Sequence, residues 1–112
     1  MPVLAAMSGV AVPLQTAATT GNGDVVAPSI SMTKHKIIIK GNTAVASGAV
    51  QLESSDDPDY AGVWAQIGGG PITIVDVAEL GIDFEGVYPF IRARISTVVV
   101  GGTVTITYIG AH

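Results

Sequence analysis

Between Gly86 and Ile109 the chain reads GVYPFIRARISTVVVGGTVTITYI, and its side chains alternate in character at every second position. Successive side chains of a β-strand leave opposite faces, so this period marks strands with one buried face. In the first run Ile91, Ala93 and Ile95 share one face, and Phe90, Arg92 and Arg94 share the other. In the second, Val104, Ile106 and Tyr108 alternate with Thr103, Thr105 and Thr107. Gly101-Gly102 separates the runs, and glycine adopts the positive φ that tight turns require. The stretch predicts a β-hairpin, with the remaining strands laid against it.

The 112 residues correspond to one domain with a modest core. Charged residues make up 12% of the chain, against a usual share of about a quarter. A free monomer normally stays soluble through mixed surface charge, so this deficit points to surface covered by partner chains. The simpler alternative is a small all-β domain with Thr and Ser on its polar face. A net charge of −4, with five Lys and Arg, argues against a grip on phosphate backbones, and nucleic acid is not expected as a partner. The absence of cysteine excludes disulfides and Cys-based zinc sites.

Residues 1–23 are rich in Ala, Thr and Gly and hold Pro2 and Pro13. They read as an extended N-terminal arm or edge strand, preceding a single β-sandwich domain over 24–112. One possibility is that Val10, Val12 and Leu14 order on a neighbouring subunit by strand addition. The other makes the segment the first strand of its own sheet. The apolar start lacks the basic flank of a signal peptide and is broken by Gly9 and Pro13, so neither a leader nor a membrane span is expected.

Lys34–Lys40, KHKIIIK, places His35, Ile37 and Ile39 on one face and Lys34, Lys36, Ile38 and Lys40 on the other. The lysines read either as a stripe that docks on an acidic partner or as a solvated face that discourages edge pairing, and the second is preferred. His35 falls on the isoleucine face, as a satisfied core or interface histidine. A turn is predicted at Gly41-Asn42, then a strand over Ala44–Ser54 with Val50 and Leu52 inward, Gln51 and Glu53 outward and a bulge at Gly48. Glu53–Tyr60 gathers four of the nine acids, but lacks the central glycine and distant glutamate of an EF-hand loop, so a surface turn is preferred to a calcium site.

Ala61–Ile67 reads as a short strand, with Trp64 either capping the core or stacking on a sugar. Gly68-Gly69-Gly70-Pro71 lacks the lysine and helix of a phosphate loop. Ile72–Val77 reads as a strand, Ala78–Gly81 as one helical turn at most, and Ile82–Gly86 as a polar link. About eight short strands separated by Gly, Pro and Asp turns predict an all-β fold, an antiparallel sandwich or barrel.

Three segments in order carry a resemblance. Val50–Asp57 ends in a polar S-x-D turn, Val63-Trp64-Ala65-Gln66-Ile67 follows, and Tyr88–Ile95 precedes the Thr-rich Gly101–Ile106. This order resembles small virion structural proteins of tailed bacteriophages, over roughly Val50 to the end. The resemblance implies a jelly-roll-like β-sandwich that decorates or cements the head. It would sit on the capsid surface against the major capsid protein, usually as a trimer or other symmetric homo-oligomer. A tail or connector subunit is the alternative within that class. The same segments are similar to β-sandwich carbohydrate-binding modules, which would need an exposed Trp64. No membrane or cofactor is implied.

Phe90, Arg92 and Arg94 are the candidate contact residues of this pattern, since guanidinium groups beside an aromatic hold carboxylates or stack across interfaces. The competing role is an internal ion pair with Asp56, Asp57 or Asp83. No catalytic or metal-ligating set is expected. With two histidines and no cysteine, acid–base chemistry would rest on carboxylates that crowd into turns.

Overall fold

The computed structural model describes residues 3–5, 11–29, 31–68, 70–74 and 77–111. Among them every regular element is a strand: β1 Val3–Ala5, β2 Ala11–Ala18, β3 Val26–Pro28, β4 Lys34–Val45, β5 Ser47–Ser55, β6 Ala65–Gln66, β7 Ile72–Thr73, β8 Val77–Glu85, β9 Phe90–Val100 and β10 Val104–Ala111. A six-stranded sheet runs β1-β3-β9-β5, with β6 and β7 sharing the far side of β5. The second sheet runs β2-β10-β4-β8. Apart from the short parallel pair β1–β3, all pairings are antiparallel. The two sheets form the β-sandwich that the alternation predicts.

The core follows the period of two. Ile91, Ala93 and Ile95 of β9 and Val104, Ile106 and Tyr108 of β10 are all buried, as are Ile37 and Ile39 of β4 and Val50 and Leu52 of β5. Yet the predicted hairpin does not exist. β9 bonds to β3 and β5, whereas β10 bonds to β2 and β4 in the opposite sheet. Alternation specifies which face of a strand meets the core, but not which strand lies beside it. Two runs with apolar faces can pair edge to edge, or face the same core from opposite sheets, and here they do the second.

The Gly101-Gly102 link therefore crosses between sheets. It meets the other crossing at this corner, from β4 through Ala46 to β5. Ala46 N–H donates to the Val100 carbonyl (2.9 Å). Asn42 ties the corner twice, its N–H donating to Thr103 O (3.0 Å) and its Oδ1 accepting from Thr103 N–H (2.9 Å). Gly101 has φ 93°, and a Cβ there would lie 3.0 Å from Ala46 N. Only glycine meets both conditions without strain.

Several local expectations change. β4 runs through Gly41-Asn42 without turning and ends at Val45. It is a central strand, so its lysines do not guard an edge. Ala78–Gly81, expected as a helical turn, and all but the last residue of Ile82–Gly86, expected as a link, belong to the single strand β8. The Ala61–Ile67 strand shrinks to Ala65–Gln66; of the expected Ile72–Val77 strand, Ile72–Thr73 form β7 and Val77 begins β8, while 75–76 lie outside the described residues. The bulge at Gly48 is present, where the β5–β9 register shifts between Ser47 and Ala49.

Of the N-terminal segment, β2 is an edge strand of the four-stranded sheet. Val12 and Leu14 are 5% and 1% exposed, with their side chains in the chain's own core. In this fold those two are therefore core residues and offer no apolar contact to a neighbouring subunit. Val10 lies outside the described residues.

Gly101→Ala is expected to cost about 1–3 kcal/mol, through both the positive φ and the contact with Ala46. Gly81→Ala, whose added Cβ would meet only the flexible end of Lys36, should change stability by less than about 0.5 kcal/mol. Urea unfolding of the two variants checks the contrast.

Candidate interaction surface

On the outer face of the six-stranded sheet, β5 and β9 set Glu53 beside Arg92 and Gln51 beside Arg94. Glu53 Oε1 accepts from Arg92 Nε at 2.9 Å and from Arg94 Nε at 3.2 Å. Its Oε2 accepts from Gln51 Nε2 at 2.8 Å and lies 3.1 Å from Arg94 Nη2. Trp64, brought over this face by the 56–64 loop, stacks beneath the Arg92 guanidinium, 4.1 Å from ring to Cζ. The Trp64 Nε1–H donates to Tyr60 O (2.8 Å). The Glu53 side chain is consequently only 2% exposed although it points away from the core.

Burial raises the Glu53 carboxyl, but hydrogen bonds from Arg94 and Arg92, together with their charges, outweigh it and hold the group below the usual carboxylate range. The expected partners Asp56, Asp57 and Asp83 are not the ones used, because the β5–β9 register brings Glu53 to the arginines. Arg92 is largely enclosed, its side chain 12% exposed, while Arg94 keeps a third of its surface. Phe90 is half-buried and stands opposite Ser55. Two guanidinium groups share one carboxylate, so the Arg92–Arg94–Glu53 cluster itself carries one positive charge in excess, with Asp56 on the adjoining loop.

Trp64 is 3% exposed and offers no open ring face for a sugar. Beside it lies a shallow depression of about 390 Å³, bounded by Ser55, Asp56, Tyr60, Val63 and Pro89. Tyr60 and Val63 are exposed at its rim. The acidic stretch closes as a turn, with Asp57 N–H donating to Ser55 Oγ and Asp59 N–H to Asp57 Oδ1, both at 3.0 Å. Among the described residues no cluster of His, Asp and Glu has metal-binding geometry.

The outer face of the four-stranded sheet divides in two. On one half Lys34, Lys36 and Lys40 of β4 stand directly opposite Glu85, Asp83 and Glu79 of β8. Lys36 Nζ is 3.9 Å from Asp83 Oδ1. The lysine stripe is thus countered within the chain. On the other half, β2 and β10 present Ala11, Pro13, Thr16, Thr105, Thr107 and Ile109, with no charge.

Compared with known protein families, curated proteins and solved structures, the chain matches none.

His35 is buried, as its place among the isoleucines predicts. Its Nε2 lies 2.7 Å from the Gly86 carbonyl, an acceptor only, so Nε2 carries the proton. Nδ1 then accepts from the Tyr108 hydroxyl. Phe84 stacks on the imidazole at 5.0 Å, and Tyr88 meets it edge-on at 5.6 Å. Both ring nitrogens are occupied in joining β4, β10 and the turn after β8. Burial pushes the Tyr108 hydroxyl up to about 12.

Glu53→Ala is expected to cost about 3 kcal/mol in urea unfolding, because it leaves two partly buried guanidinium groups unpaired. A second measurement concerns alkaline pH. The folded state keeps the Tyr108 proton that the unfolded chain releases near pH 10, so this stabilisation is complete below about pH 10 and is lost as pH rises through about 12. The loss should approach 2 kcal/mol across that window, and Tyr108→Phe should flatten it.

Proposed function

We propose that the chain is a structural, non-enzymatic virion protein that decorates or cements the head of a tailed bacteriophage. It would bind the outside of the shell and clamp neighbouring major capsid subunits, as a homotrimer or similar symmetric assembly. The observation that carries this reading is the strand order. β2-β10-β4-β8 faces β3-β9-β5-β6, and the chain changes sheet at every connection except those joining β5, β6 and β7. That order supports the finer jelly-roll assignment, an architecture recurrent in viral shell proteins.

The surface chemistry points the same way. The lysines of β4 face acids within the chain, and Glu53 is enclosed by arginines. What remains uncharged is extensive: the β2–β10 half of one sheet, and Val98 and Val100, each more than half exposed. Uncharged surface of this kind suits permanent contacts between subunits. The Arg92–Arg94 patch, with Phe90 beside it, supplies the directional contact, since Arg94 retains exposed surface able to take a carboxylate from a capsid subunit. The glycan-binding alternative loses its platform with the burial of Trp64.

Native mass measurement is the direct test. A stable species of three 11.3 kDa chains that co-sediments with undecorated phage heads is the expected result. A monodisperse monomer that fails to bind heads would refute the assignment.

A further inference from the structure

A sheet edge is a row of unpaired backbone N–H and C=O groups, and folded proteins blunt it by shortness, proline, bulges or charge. Among the described residues the sheets end at β1, at β6 and β7, at β2 and at β8. β1 has three residues, and β6 and β7 have two each. β2 carries Pro13, two register shifts against β10 and Ala17 at φ 44°, whose N–H is already held by Thr105 Oγ1 at 3.2 Å. β8 is neither short nor interrupted by proline, and its one register shift, between Val77 and Glu79, lies at its start. It is nine residues long and keeps an unbroken register from Glu79 to Glu85 against Lys40 to Lys34.

The inward side chains of β8, Leu80, Ile82 and Phe84, pack on the core but remain only half-buried. A further strand beside them would complete their cover. The protection β8 does have is charge, from the exposed Glu79, Asp83 and Glu85 on its outer face. Lysines stand opposite these acids on the β4 side, and among the described residues no strand pairs on the other side.

That charge selects the occupant. In antiparallel pairing of β8 with a second copy of itself, registers centred on Glu79, Gly81, Ile82 or Asp83 all set an acid directly opposite an acid, which is destabilising, and the register centred on Leu80, which sets Glu79 opposite Gly81, still leaves Glu79 diagonal to the copy's Glu79 and gives Asp83 no opposite charge. A strand carrying lysine or arginine at its outward positions would instead extend the ladder as cation, anion, cation. We propose that β8 accepts an extended segment of a different protein as a fifth strand of its sheet. The segment carries basic residues facing Glu79, Asp83 and Glu85, and apolar residues beside Leu80, Ile82 and Phe84. Main-chain hydrogen bonds supply affinity and the charge ladder sets register. Naming the capsid protein as the source of that segment rests on the decoration reading, whereas the edge itself does not.

Amide hydrogen exchange of the whole chain, with a nine-residue peptide alternating lysine and valine, tests the proposal. β8 amides should be protected and β2 amides should not, and a peptide with glutamate in place of lysine should bind roughly tenfold more weakly. The charge reversal Glu79→Lys, Asp83→Lys, Glu85→Lys should invert that preference. If it does not fold, the neutral set Glu79→Gln, Asp83→Asn, Glu85→Gln should abolish the discrimination. Three results overturn the proposal: no protection of β8 by either peptide at millimolar concentration, equal protection by both, or protection that grows with protein concentration alone. Peptide binding without attachment to phage heads would refute only the decoration reading. Attachment that the neutral set leaves unchanged would remove β8 from the capsid contact and leave that reading intact.

Discussion

The structure depends on β9 and β10 facing one core from opposite sheets. Ile91, Ala93 and Ile95 contribute from one side, and Val104, Ile106 and Tyr108 from the other. Each fully buried large aliphatic or aromatic side chain contributes about 1.5–3 kcal/mol, so these strands supply much of the drive that joins the sheets. Their placement then directs the neighbours. β5 and β3 flank β9, and β4 and β2 flank β10. The corner at Gly101 and Ala46 holds the geometry, because two sheet-to-sheet crossings pass within contact distance there and one of them lacks a side chain.

Charge is arranged by the same framework. Three lysines on β4 meet three acids on β8, and two arginines on β9 meet one glutamate on β5. Each set arises from pairing between strands distant in sequence. Among the described residues the result is a broad neutral surface over β2 and β10 and one long acid-lined edge at β8.

Parts of this were legible in the residues. The period of two correctly assigned the inward faces of β4, β5, β9 and β10, including the buried His35, and Gly48 marked its bulge. β8 is hard to read from the residues although Glu79-Leu80-Gly81-Ile82-Asp83-Phe84-Glu85 alternates as strictly as any other run. Its Gly81 and its acids resemble the punctuation of a turn, and here tertiary pairing with β4 overrode that local signal. Alternation puts Glu53 on the outer face but does not mark it as the partner of Arg92 and Arg94. Nothing local distinguishes it from Asp56 or Asp57, and only the β5–β9 register does.

The sequence by itself determined which side of each alternating strand is apolar, and hence that the chain forms an all-β, two-faced structure. That property is local, since it follows from where successive Cβ atoms point. Tertiary structure alone decided that the Gly101-Gly102 link is a crossing and not a hairpin turn, that Val12 and Leu14 belong to the chain's own core, and that Glu53 lies beneath two arginines. Those outcomes turn on which backbone hydrogen-bonding row finds which partner, and every strand offers the same row whatever its side chains.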